Sequence, residues 1–217
     1  MLYIKKGKEP RSLTEYKKQA GAYYEGYPDK IDVKNALLAE QGFLCAYCMR
    51  RIGVHSMKIE HWAAQNPIEG YGEDTSLSYH NMLGVCMGKE GERPSKQTCD
   101  THKGNKALTI DPRRQEHIDS IFYDHNGTIG STDARLHNDI DTILNLNGEG
   151  TDLKENRKAV LNSLNAYLKK QQAQGIWKRD LLLKARRLFG SYEDGKLKPY
   201  VGIALYFIDR KYLPKSR

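Results

Sequence analysis

The chain contains no run of about 18 apolar residues, so no segment is expected to cross a bilayer as a helix. Its first residues, MLYIKKGKEPRS, lack the apolar stretch of a secretory signal, and a cytoplasmic location is the expectation. Neither an internal repeat nor a low-complexity tract breaks the 217 residues, which suit one domain or two small ones. Hydrophobic residues are modest at 39% against 29% charged, which implies a limited core under a well-solvated surface.

Acid is scarce at one end. Residues 151 to 217 hold 16 Lys/Arg against 6 Asp/Glu, whereas residues 1 to 150 hold 19 against 21. The net charge of +8 therefore resides in the last third of the chain. A localised basic surface suits a polyanion, because each neutralised phosphate releases counterions. Solvated helix faces produce the same composition, and charge alone does not choose between them.

Cysteine is also scarce, and its four occurrences are informative. Cys45 and Cys48 form C-x-x-C, and Cys86 and Cys99 supply a second pair separated by the polar, turn-forming insertion MGKEGERPSKQT. In a reducing compartment such an arrangement points to a metal before it points to disulfides. Four thiolates make a closed, tetrahedral, structural zinc site, which would substitute for core in a small module.

The strand-like stretch KIEHWAAQ (residues 58–65) is polar where a strand should be apolar. Neighbouring residues in a strand point to opposite faces, so Glu60 and His61 cannot both face solvent. A histidine suits general-base work at neutral pH, and a carboxylate suits a hard divalent ion. Trp62 behind them reads as a packing residue, as do Tyr23 and Tyr24.

Around this centre the pattern is mostly helical. SLTE (12–15) matches a capping box before a helix over about 13–20. A second helix is expected over 33–41, with Asp32 as N-cap and Gly42 as its stop. Residues 117–130 read as a β-hairpin turning at Asn126-Gly127, the favoured two-residue turn. Apolar residues at helical spacing predict further helices over residues from about 153, over 176–189 and over 199–212.

In order along the chain stand Cys45-x-x-Cys48, Glu60-His61, Asn81, Cys86, and Cys99-Asp100 followed by THKGNK. This succession resembles the HNH endonucleases of the ββα-metal type, in particular the branch with four zinc-binding cysteines. Softer similarity in IKKGKEP, TILNLN and LKENRKAV extends the likeness toward nucleases of retrons and of Septu-type antiphage systems, the PtuB-like group.

The resemblance implies an α+β fold, with a ββα-metal module over 43–110 in a mainly α-helical chain. A helical segment would precede it over 1–42. A hairpin and connector over 111–150 and a basic helical region over 151–217 would follow. It implies His61 as general base and Glu60, where the family more often has Asp, as a ligand of the catalytic divalent ion (Mg²⁺ or Mn²⁺). Asn81 would orient the loop around the histidine. Asp100 would be the second metal ligand, with His102 as its rival, and Lys103 and Lys106 would contact nucleic acid. It further implies a DNA substrate and a PtuA-like ATPase partner, and in a retron setting a reverse transcriptase with its RNA–DNA product. A zinc-stabilised binding module without catalysis and a stand-alone restriction-type nuclease are the competing readings.

Overall fold

A computed structural model describes residues 1–65 and 75–213. It is a mixed helix-and-strand structure whose sheets are two separate antiparallel pairs. Strands β1 (Met57–His61) and β2 (Met82–Cys86) pair with Met57 opposite Cys86 and His61 opposite Met82. The short helix α3 (Cys99–Lys103) follows and packs on β2. Strands β3 (Ile121–Tyr123) and β4 (Ile129–Ser131) form the second pair.

Helices α1 (Arg11–Tyr16) and α2 (Lys30–Glu40) precede the first strand pair. Helices α4 (Gln115–Asp119) and α5 (Ala134–Asn138) flank the second. The C-terminal layer is α6 (Leu153–Gln171), α7 (Arg179–Gly190) and α8 (Val201–Tyr206), packed on one another. Leu153, Leu161, Leu164 and Leu168 lie buried along one face of α6, as their three-, four- and eight-residue spacing requires. One buried cluster extends from Met1 to Ile208. No helix among the described residues is long and apolar enough to cross a membrane.

Several boundaries differ from the expected ones, each for a local reason. The first helix starts at Arg11, directly after Pro10, whose carbonyl accepts from Thr14 N at 3.1 Å. Ser12 is therefore inside the first turn and cannot cap it; its hydroxyl bonds the Tyr27 hydroxyl at 2.8 Å instead. Helix α2 begins at Lys30, which puts Asp32 in the first turn rather than at the N-cap, while Gly42 does end the helix in a left-handed conformation at φ 57°. The loop joining β3 and β4 holds five residues, 124–128, rather than two. Asp124 N bonds Thr128 O at 3.1 Å, the Asp124 carboxylate accepts from Asn126 N and Thr128 N, and Gly127 takes φ 84°. Residues 115–119 ahead of it are helical. The predicted helix over 176–189 starts three residues late, and the one over 199–212 divides into α8 and a wider π-helical turn, Phe207–Tyr212. The end of the basic region, 214–217, lies outside the described residues.

Two close approaches bring the site together. Gln41, at the end of α2, clamps Gly84 of β2 by donating to its carbonyl and accepting from its N–H, both at 2.7 Å. A Cβ on Gly84 would lie 2.9 Å from Met57 Cε and 3.2 Å from Gln41 Nε2, so a larger residue would make these two side-chain ends shift. Ala46, between Cys45 and Cys48, donates to the Gly84 carbonyl at 3.0 Å, which pins the C-x-x-C turn to β2.

Candidate active site

The four cysteines converge. Their sulfurs all lie within 4.8 Å of one another, and Cys45–Cys99, Cys48–Cys86 and Cys86–Cys99 are each 3.8 Å apart. Four sulfurs at about 2.3 Å from a central ion would sit about 3.8 Å apart, the edge of a regular tetrahedron. All four are buried. Hydrogen bonds from Cys45, Cys48 and Cys99 hold the Cys86 thiol far below its ordinary range. The neighbouring sulfurs, Cys45 first, and then burial push Cys48 and Cys99 well above it. A cation among the four sulfurs would favour their thiolate forms. The cluster is dimensioned to hold zinc.

Beside it, strand β1 delivers Glu60 and His61 to one polar cleft of about 180 Å³, which Asp100, Lys103, Gly104 and Asn105 also line. Both β1 residues are buried, and each is held by its own set of partners. Glu60 reaches the C-x-x-C turn and α3. Its Oε1 accepts from the Tyr47 hydroxyl at 3.1 Å and pairs with Lys103 Nζ at 2.8 Å. Burial, and then the hydrogen bond and repulsion from Asp100, push the Glu60 carboxyl up to about 9 against the opposing Lys103. Repulsion from Asp100 and burial thus disfavour negative charge on Glu60, and the Lys103 ammonium opposes both.

His61 has different partners. Its Nε2 lies 2.8 Å from the Ser76 carbonyl, which makes Nε2 the protonated nitrogen and leaves Nδ1 with its lone pair. The ring of Tyr24 meets the imidazole edge-on, with centroids 4.4 Å apart. Burial lowers the His61 pKa below the ordinary histidine value, partly opposed by the bond to Ser76, so the ring is neutral at pH 7.

Asn81 closes the far side. Its Oδ1 accepts from Ala63 N at 2.8 Å, and its Nδ2 donates to Ala63 O and Thr75 Oγ1, both at 3.0 Å. One side chain thus ties the chain just after His61 to the chain just before Ser76. Trp62 is a packing residue: its indole donates to Ile110 O at 2.8 Å, and the Arg113 guanidinium lies over its ring.

Two expected residues are placed differently. His102 does not line the cleft; its Nδ1 lies 2.9 Å from the Ile143 carbonyl. Lys103 is 2% exposed, with its ammonium between the Glu60 carboxylate and the His61 carbonyl, so it is not a free phosphate contact. Lys106 is exposed just past the cleft-lining Gly104 and Asn105. Three contributors were not singled out from sequence: Tyr47, Ser76 and, as a neighbour of His61, Tyr24. The position of Tyr47 between the two cysteines was the available signal, but nothing in the spacing shows where its hydroxyl ends.

No family model matches the chain. A candidate HNH endonuclease of retron Ec83 from Escherichia coli is 30% identical to it over 81 residues. That match covers 34% of this chain and 31% of the Escherichia coli protein, so the chain aligns with about a third of its relative's length. The similarity supports a relation to HNH nucleases.

Proposed function

We propose that this protein is a metal-dependent HNH endonuclease that hydrolyses phosphodiester bonds in nucleic acid, with DNA as the substrate. The observation that carries the reading is the convergence of His61, Glu60 and Asp100 in one polar cleft beside a four-sulfur cluster. In this reading the module over 43–110 is of ββα-metal type, with β1, β2 and α3 as its strand–strand–helix order.

His61 is the general base. Its Nδ1 takes the proton from the attacking water while Nε2–H stays engaged with the Ser76 carbonyl, which fixes the tautomer and spreads the charge acquired. Burial keeps the imidazole neutral before the step. Glu60 and Asp100 fit a hard divalent ion, because the fold brings two carboxyls to one cleft and such an ion would offset their repulsion. Mg²⁺ or Mn²⁺ held there would supply Lewis-acid stabilisation of the charge on phosphate and leaving oxygen. Asn81 keeps the segments that carry His61 and Ser76 in register.

The relation to a retron protein supports a place in a retron-type complex, and the proposal extends to a Septu-type antiphage complex on the softer sequence likeness. There a PtuA-like ATPase, and in the retron case a reverse transcriptase with its RNA–DNA product, would be the partners. The test is cleavage of plasmid DNA and of RNA by purified protein in Mg²⁺ or Mn²⁺, alone and with the ATPase. His61→Ala should abolish cutting with zinc content and melting unchanged. A wild-type protein that binds nucleic acid yet never cuts it in any of these conditions would establish the non-catalytic module instead.

A further inference from the structure

We infer that Tyr47 is a positioning residue that couples the four-cysteine cluster to the catalytic carboxylate, an inference that rests on the nuclease reading above. Tyr47 lies between Cys45 and Cys48, is fully buried, and places its hydroxyl 3.1 Å from Glu60 Oε1.

The position of that hydroxyl follows from the C-x-x-C turn itself. Cys45 N bonds Arg50 O at 2.8 Å and Met49 N bonds Cys45 O at 3.0 Å, which closes the turn. Ala46 N bonds the Gly84 carbonyl, one residue along β2 from Leu83, the partner of Glu60 across the strand pair. The two cysteines that flank Tyr47 are held by the sulfur cluster, so the ring has one address and the hydroxyl one direction. The phenol hydroxyl donates to Glu60 Oε1.

A glutamate gives this contact its purpose. Glu60 is one methylene longer than an aspartate and has one more torsion to fix before it can hold an ion. Tyr47 from one side and Lys103 from the other both meet Oε1. Hydrogen bonds of this kind orient metal ligands, and their loss typically costs about 10- to 100-fold in metal affinity. Loss of the ion at the cysteines would then disarm the site even where the chain stays folded, because the anchor of Glu60 would be released.

The experiment compares wild type, Tyr47→Phe, Glu60→Asp and the double variant. Tyr47→Phe removes one oxygen and keeps the ring, so zinc content and melting temperature should match wild type. Mn²⁺ affinity, measured by electron paramagnetic resonance without nucleic acid, should fall about 10- to 100-fold. The Mn²⁺ concentration for half-maximal cleavage should rise by the same factor, with KM for DNA at saturating Mn²⁺ unchanged. In the Glu60→Asp background, where the shorter side chain cannot reach the phenol, Tyr47→Phe should have no further effect. Full Mn²⁺ affinity in Tyr47→Phe, or an equal loss in both backgrounds, would overturn the role of Tyr47 and leave the nuclease reading standing. A wild-type protein that binds no Mn²⁺ at Glu60 would sink the nuclease reading and this inference with it.

Discussion

Lys103 and Glu60 form an ion pair 2.8 Å long in which each side chain is at most 3% exposed. The ammonium stands where a second carboxyl, Asp100, also bears on Glu60. A buried charge without a partner is far more costly than an exposed one, so these groups stand or fall together. In this arrangement the Lys103 ammonium offsets negative charge on the carboxyl pair.

Lys103→Met should therefore destabilise the metal-free protein by about 3 kcal/mol or more, the usual cost of breaking a buried pair. Added Mn²⁺ should recover a larger part of the melting temperature in the variant than in wild type, because it returns positive charge to the carboxyls. Thermal melts with and without Mn²⁺ decide the matter. Equal Mn²⁺ shifts in the two proteins would mean that the ion binds elsewhere.

Cys45→Ser should lose zinc and, with it, the cooperative fold of the cluster region. Structural zinc contributes about 10–16 kcal/mol in small sites, as much as the whole net stability of an ordinary domain. Metal analysis and near-ultraviolet circular dichroism read both effects. Full zinc stoichiometry in the variant would exclude Cys45 as a ligand.

Asn81→Ala should leave zinc in place and lower cleavage, because it removes the bonds from one side chain to Ala63 and Thr75. Leaving buried partners unsatisfied costs about 1–3 kcal/mol, here paid locally. Hydrogen exchange at the Ala63 amide should accelerate while the amides of β2 stay protected. Unchanged exchange at Ala63 would show that the loop is held by other contacts.

Asp100→Asn and His102→Ala separate two candidates that lie two residues apart. Asp100 faces the cleft and Glu60, whereas His102 is engaged with the Ile143 carbonyl. Cleavage should fail in Asp100→Asn and persist in His102→Ala, with a modest loss of stability in the latter. Plasmid cleavage at matched zinc content is the measurement. Activity in Asp100→Asn together with inactivity in His102→Ala would reverse the assignment.

The cysteine spacing, the Glu60-His61 pair and the periodic leucines of α6 were legible because each is a local pattern with a physical meaning. Thiolates at C-x-x-C spacing can meet one ion, and leucines at three- and four-residue intervals share a helix face. The capping box at Ser12 misled because a proline two residues earlier starts the helix first. The two-residue turn at Asn126-Gly127 misled because Asp124 has a carboxylate placed to bond two amides and widen the loop.

Chemical identity was thus written into the chain: four sulfurs that could hold one metal, a carboxyl and an imidazole side by side, and a basic C-terminal third. Folding decided which groups meet. Tyr47 reaches Glu60 across 13 residues, Lys103 reaches it across 43, and Ser76 bonds His61 across 15, contacts that no sequence spacing encodes. The same folding turned His102 away from the cleft and buried Lys103 within it. Short-range patterns report on the dihedrals and faces of one element, whereas the direction of a side chain toward a distant partner depends on how whole elements pack.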